Sequence, residues 1–240
     1  MLQTIPRRVT LIKYLANLGY GTRREVTALV AASRVTRADG TTLGVGDAFS
    51  HADLRVHGQP PDPAPGVVLL LNKPVGYVCS TRDVPPLVYD LLPARFLKRS
   101  PIIAPVGRLD RDTSGLLLLT DDGQLNHRLT SPRAHVPKTY RATLATDVSQ
   151  TDVVLFESGG LLLEGESAAL APASMTVVTP RTIEITITEG RYHQVRRMFA
   201  AVENHVVTLK RVAIGALPLG DIADGTWRAL TDAERELLRP

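Results

Sequence analysis

The sequence has a single cysteine in 240 residues, Cys79, so it holds no internal disulfide framework and no cysteine-rich zinc module. Aromatic residues make up only 5%, which leaves the core to aliphatic side chains. No apolar run reaches the roughly 18 residues needed to cross a bilayer. The opening MLQTIPRRVTLIKYLANLG lacks both the apolar core and the small-residue cleavage site of a secretory signal, so a soluble, cytoplasmic chain with no membrane partner is expected. The six histidines show no metal-ligand spacing. There is no Walker A loop, no G-x-G-x-x-G and no G-x-S-x-G elbow. Metal, nucleotide-cofactor and acyl-transfer chemistries have no motif to rest on, and neither metal nor cofactor is expected. With 44% hydrophobic and 22% charged residues, the composition also excludes global disorder.

A large charge of one sign is missing too, since 28 Lys and Arg meet 24 Asp and Glu. The excess of +4 has a location, however. Residues 1–59 carry eight Lys or Arg against four Asp or Glu, while the remainder carries twenty of each. That asymmetry suggests a polyanion-binding N-terminal module on a neutral body. The boundary is marked by Gly58-Gln-Pro-Pro-Asp-Pro-Ala-Pro-Gly66, whose four prolines suit neither a helix nor an inner strand and predict an extended spacer. The expected organisation is a small domain at 1–59, a linker at 60–65 and a larger domain at 66–240.

In the small domain, Leu11, Leu15 and Leu18 recur at helical spacing, and Gly19 and Gly21 suit a helix stop. Thr22 and Glu25 have the spacing of a capping box, opening a second helix that turns Val26, Leu29 and Val30 inward. Asp39-Gly40 between Val35–Arg37 and Thr41–Leu43 predicts a hairpin. Arg23 and Arg24 fall in the first turn of the second helix, where the dipole disfavours cations, and a helix start that meets phosphate would explain them. This segment resembles an S4 RNA-binding domain through its first helix, TRREV and RVTRADGTTL, which implies a structured RNA partner.

The larger domain is rich in strand signals. Val67–Leu71 and Leu116–Leu119 are buried-type runs, whereas Lys138–Leu144 and Thr182–Thr188 alternate as half-buried antiparallel strands do. His205–Val212 is a further strand, and helices are predicted at 123–130, 149–157 and 191–202. Strands and helices do not alternate regularly, so an α+β body with a mixed, mostly antiparallel sheet fits better than a Rossmann or barrel design. Cys79 has an apolar setting that predicts a buried, inert thiol.

Three polar clusters interrupt this apolar frame. In Gly107-Arg-Leu-Asp-Arg-Asp-Thr-Ser-Gly-Leu-Leu-Leu-Leu-Thr120, Asp110 sits between Arg108 and Arg111 in a charge-dense loop feeding an apolar strand. Alternation puts Lys138 and Tyr140 on one side of a strand. Glu189-Gly-Arg-Tyr-His-Gln-Val-Arg-Arg-Met198 groups His193, Arg196 and Arg197 near one helix face. Read alone, each is compatible with a solvated turn or a basic surface.

In this order, GRLD-x-x-TSGLLLLT-x-DG, K-x-Y and EGRYHQVRRMF resemble pseudouridine synthases of the RsuA family, as do Leu71-Asn-Lys-Pro-x-Gly76 upstream and Leu-Lys-Arg211-Val-x-Ile-Gly215 downstream. The resemblance implies cleavage of a uridine N1–C1′ bond in RNA, rotation of the base and rejoining through C5, an isomerisation. It implies that Asp110 is the catalytic aspartate, acting on C1′ directly or through a glycal. Arg196 would pair with that aspartate, Tyr140 would pack on the base, Arg108 would hold the base out of the stack, and Ile187 would line the pocket beside Lys138. TDDGQLNHRLTSPR and YHQVRRMFAAVENHVV resemble most the members that modify position 516 of 16S rRNA. The expected substrate is a small-subunit assembly intermediate met by a monomeric enzyme, with Arg23 and Arg24 among its RNA contacts. Alternatives are a 23S rRNA target, a non-catalytic rRNA-binding assembly factor, and a glycoside hydrolase using Asp110 and Asp112.

Overall fold

The computed structural model describes residues 9–80, 83–84 and 86–238. The first eight residues of the expected small domain lie outside the described residues. The chain forms two compact units. The first takes residues up to Val67 together with Leu92–Ala104 and Thr120–Asp122, and the second takes the rest.

The first unit begins with α1 (Leu11–Asn17), whose N-cap Thr10 accepts from the Lys13 amide, and α2 (Arg23–Ala31). The Thr22–Glu25 capping box forms in both directions, and it holds the exposed Glu25 carboxyl below its usual range through bonds from Thr22. Leu11, Leu15, Leu18, Val26, Val35 and Leu54 are fully buried and make the centre of an aliphatic core. The expected hairpin forms through short backbone contacts, and a second strand takes the longer ladder. Arg37 donates its amide to the Thr41 carbonyl and Thr36 bridges Thr42, but β1 (Val35–Arg37) takes its ladder from β2 (Leu54–Val56). Leu43, the residue after Thr42, donates its amide to the Val35 carbonyl at 3.2 Å, and Val35, Leu43 and Val56 are all buried in one core.

The segment expected as a spacer is anchored. The Asp62 amide donates to the Tyr20 hydroxyl, and its carboxylate receives Arg95. Arg99 donates to the Pro63 carbonyl at 2.9 Å and pairs with Asp121 at 2.8 Å, and Asp121 in turn accepts from the Gly66 amide at 2.8 Å. Both members of that ion pair are buried. Gly19, at φ +90°, lies so close to the Arg95 carbonyl that no side chain fits there.

The second unit is built on a mixed sheet of nine strands among the described residues. In chain order they are β3 (Val68–Lys73), β4 (Ala104–Pro105), β5 (Ser114–Thr120), β6 (Lys138–Leu144), β7 (Ser174–Thr179), β8 (Thr182–Ile187), β9 (Val206–Ile214), β10 (Leu217–Pro218) and β11 (Trp227–Ala229). The sheet runs β11-β3-β5-β9-β6-β8-β7, with β4 beside β5 and β10 beside β9. The β5–β9 pairing is parallel, and the pairings β11–β3, β9–β6, β6–β8 and β8–β7 are antiparallel. Strands β3 and β5 are covered on both faces, which is why they read as unbroken leucine runs. Strands β6 and β8 alternate in burial. Leu125 and Leu129 of α3 (Gly123–Thr130) pack on Val68, Leu70, Leu116 and Leu118. Phe156 of α4 (Gln150–Ser158) meets Phe199 of α5 (Gln194–Ala200) edge to face at 5.2 Å. A short α6 (Asp232–Glu236) ends the unit. Among the described residues no helix is long and apolar enough to cross a membrane.

Two departures from regular strand geometry lie next to Arg211. Gly115 sits at φ +101° where β5 runs against β9, and a Cβ there would collide with the Arg211 backbone. In the β6–β9 ladder, Thr139 faces Ala213 and Tyr140 faces Arg211, so Val212 is an extra, bulged residue.

Candidate active site

A cleft of about 690 Å³ opens in the second unit, and it gathers Asp110, Tyr140, Arg196, Arg108, Lys138 and Ile187. Arg23 and Arg24 are elsewhere, exposed at the start of α2. The floor is β6, β8 and β9. Lys138 lies opposite Ile187 and Tyr140 opposite Ile185, so pleat alternation delivers Lys138 and Tyr140 to one face as expected. In β9 the bulge changes the parity. Leu209 and Arg211 line the cleft two residues apart, and the extra residue Val212 makes Ile214 the next to do so.

The Asp110 loop is held by its backbone. Lys73 is fully buried at the end of β3, and its ammonium donates to the carbonyls of Asp110 at 3.0 Å, Thr113 at 2.8 Å and Pro74 at 3.0 Å. Burial pulls the Lys73 amine below its usual range, with Cys79, Asp110 and Asp112 opposing that shift. The Arg111 carbonyl accepts from the Gly76 amide at 2.6 Å. Held this way, the Asp110 carboxylate stays 38% exposed to the cleft.

Arg196 does not pair with Asp110. Its guanidinium takes the Asp112 carboxylate at 3.0 Å, the Asp112 carbonyl at 3.1 Å and the Val206 carbonyl at 2.9 Å. It therefore ties the Asp110 loop to β9 through Asp112, while Lys73 holds the same loop through its carbonyls. The ionisable group nearest the Asp110 carboxylate is His193, with Nε2 at 3.5 Å from Oδ1.

His193 also explains why α5 is shorter than the sequence suggests. It adopts the left-handed conformation, φ +47° and ψ +35°, as the helix N-cap, so residues 191–193 leave the helix and join the cleft wall. Arg196 and Arg197 then diverge rather than share one basic face. Arg197 reaches Glu166 at 2.8 Å and the Glu164 carbonyl at 2.7 Å, and Arg191 binds Glu166, Glu189 and two carbonyls of the 161–173 segment. Within the floor, Arg211 is buried and donates to the Leu116 carbonyl. Burial lowers the Lys138 amine, and Arg211 lowers it further. Cys79 is buried as expected, at a bend rather than in a strand, and burial pushes its thiol up. No group of three potential metal ligands occurs among the described residues.

The sequence pattern groups His193 and Arg197 with Arg196 in one polar cluster without giving either a role, and it does not single out Lys73 or Arg191. Lys73 stands within the Leu71-Asn-Lys-Pro stretch, and the three others within the Arg191–Arg197 cluster. A lysine in an otherwise apolar buried strand is the signal that marks Lys73.

The family described as RNA pseudouridylate synthase matches residues 67–201, the stretch that carries this cleft. The chain belongs to that family. Across 237 residues it is 43% identical to an uncharacterized RNA pseudouridine synthase of Bacillus subtilis (strain 168), YtzG, covering 94% of this chain and 96% of that one. It is 49% identical over 168 residues to ribosomal small subunit pseudouridine synthase A of Escherichia coli (strain K12), covering 69% of this chain and 71% of the relative. The Yersinia pestis protein of the same name is 42% identical over 228 residues, 92% and 94% of the two chains. A solved pseudouridylate synthase, 37% identical, superposes with a TM-score of 0.67 and covers 96% of this chain and all of that one. The synthase is thus an isomerase that acts on uridine in RNA, on a mixed α/β fold.

Proposed function

We propose that the synthase converts one uridine of 16S rRNA, at position 516, to pseudouridine during small-subunit assembly. The observation that carries the reading is the convergence of Asp110, Tyr140, Lys138, Ile187 and Arg108 on one cleft, together with relatives named ribosomal small subunit pseudouridine synthase A at 42–49% identity. The target nucleotide leaves the RNA stack and enters the cleft, at a cost met by new stacking and backbone contacts. Tyr140, flat and buried in the floor, packs on the uracil. Arg108, exposed at the cleft edge, occupies the space the base vacates. The Asp110 carboxylate acts at C1′, either by adding there or by promoting a glycal. The N1–C1′ bond breaks, the base turns, C5 bonds to C1′ as any Asp110–C1′ bond breaks, and the C5 proton leaves while N1 takes up one proton, so that product and substrate are isomers. Arg196 serves this step through Asp112, as a positioning residue for the loop.

The first unit is read as the S4-like RNA-binding module, with the exposed Arg23 and Arg24 on phosphate and the positive balance of residues 1–59 supplying affinity. The enzyme acts as a monomer. The test is pseudouridine mapping of ribosomal RNA from cells with and without the gene. Loss of a single 16S site is expected. Loss of a 23S site would keep the chemistry and replace the target.

A further inference from the structure

This chain has eleven Phe, Tyr and Trp residues, and ten of them are buried or half-buried. The exception is Tyr192, 75% exposed, and its ring is on the cleft wall. Tyr192 stacks on His193 with centroids 3.9 Å apart and planes 15° from parallel. Beside that stack, His193 Nε2 lies 3.5 Å from Asp110 Oδ1. The arrangement is pre-set. The Tyr192 carbonyl accepts from Arg197 Nη1 at 3.2 Å and the His193 carbonyl from the Arg197 amide at 2.9 Å, while Arg197 is itself tied to Glu166.

A bare ring held flat in water, one layer outside the ring that meets the reactive carboxylate, has a free face suited to another flat π system. The ring spacing is close to the roughly 3.4 Å between stacked bases. In the cleft of an enzyme acting on RNA, the partner with that chemistry is an unpaired nucleobase. We propose that Tyr192 is the stacking platform for the nucleotide adjoining the target uridine, and that the Tyr192–His193 stack fixes that neighbour's distance from Asp110. This rests on the RNA pseudouridine synthase reading and extends it to how flanking sequence is held.

The test uses the full chain and an RNA hairpin containing the target uridine, with the fluorescent base 2-aminopurine placed on either side of it in turn. The wild type is first assayed for pseudouridine on the unlabelled hairpin and on total rRNA. Binding is expected to quench 2-aminopurine on one side with the wild type, Tyr192→Phe and Tyr192→Trp, but not with Tyr192→Ala. In Tyr192→Ala the KM should rise roughly 5- to 150-fold, with the loss falling on KM rather than on the single-turnover rate at saturating RNA. An abasic residue at the quenched position should erase the difference between wild type and Tyr192→Ala. An unchanged KM in Tyr192→Ala overturns the platform and leaves the enzyme reading intact. So does a defect that persists when both flanking positions are abasic. Wild-type enzyme that makes no pseudouridine on either RNA overturns the reading, and the platform with it.

Discussion

Asp110 is positioned by what its backbone does. Its carbonyl accepts from the Lys73 ammonium, its loop is tied to Gly76 through Arg111, and Asp112 two residues on is taken by Arg196. The carboxylate is therefore left free to meet a ligand, with His193 beside it. Asp110→Asn keeps the shape and removes the charge. The variant should form no pseudouridine while binding RNA within several-fold of the wild type, as read by product analysis and by filter binding. Wild-type turnover in that variant would remove Asp110 from the chemistry.

At the scale of elements, the site depends on two departures from regular strand geometry. The Val212 bulge in β9 brings Ile214 onto the cleft face with Arg211, and Gly115 lets β5 pack tightly against that same strand. Gly115→Ala places a methyl group against the Arg211 backbone at a positive φ. Left-handed strain and overpacking together should cost about 2–4 kcal/mol, measured by chemical denaturation. A loss under about 0.5 kcal/mol would show that the two strands can part at no cost. Periodicity exposed the regular parts of this design. The leucine runs of β3 and β5, the alternation in β6 and β8, and the Thr22–Glu25 box all follow from local spacing. The bulge, the left-handed His193 and the Lys73 clamp are set by long-range packing, which no local period encodes. The Asp39-Gly40 turn forms as its dipeptide predicts, with Thr36 bridging Thr42 and Leu43 bonded to Val35, while the added pairing with the more distant Leu54–Val56 has no local signal.

For the whole molecule, charge and catalysis have different addresses. The surplus of +4 lies in residues 1–59, and the rest of the chain is balanced. Deleting residues 1–59 would be a poor test of that division, because it strips Asp62 of Tyr20 within the same unit. The pair Arg23→Ala and Arg24→Ala is cleaner, as both side chains are exposed. It should weaken RNA binding and lower the slope of log affinity against log salt by about 2, while leaving single-turnover conversion at saturating RNA unchanged. An unchanged slope would take phosphate contact away from α2.

The ion pair of Arg99 with Asp121 also imposes an order on biosynthesis. A ribosome produces Pro63, then Arg99, and only 22 residues later the carboxylate that Arg99 needs. By then β3 and the whole of β5 have been made. The first unit is thus completed by chain that emerges after the second has begun. A graft of the N-terminal module onto another enzyme would have to carry Leu92–Ala104 and Thr120–Asp122 with it.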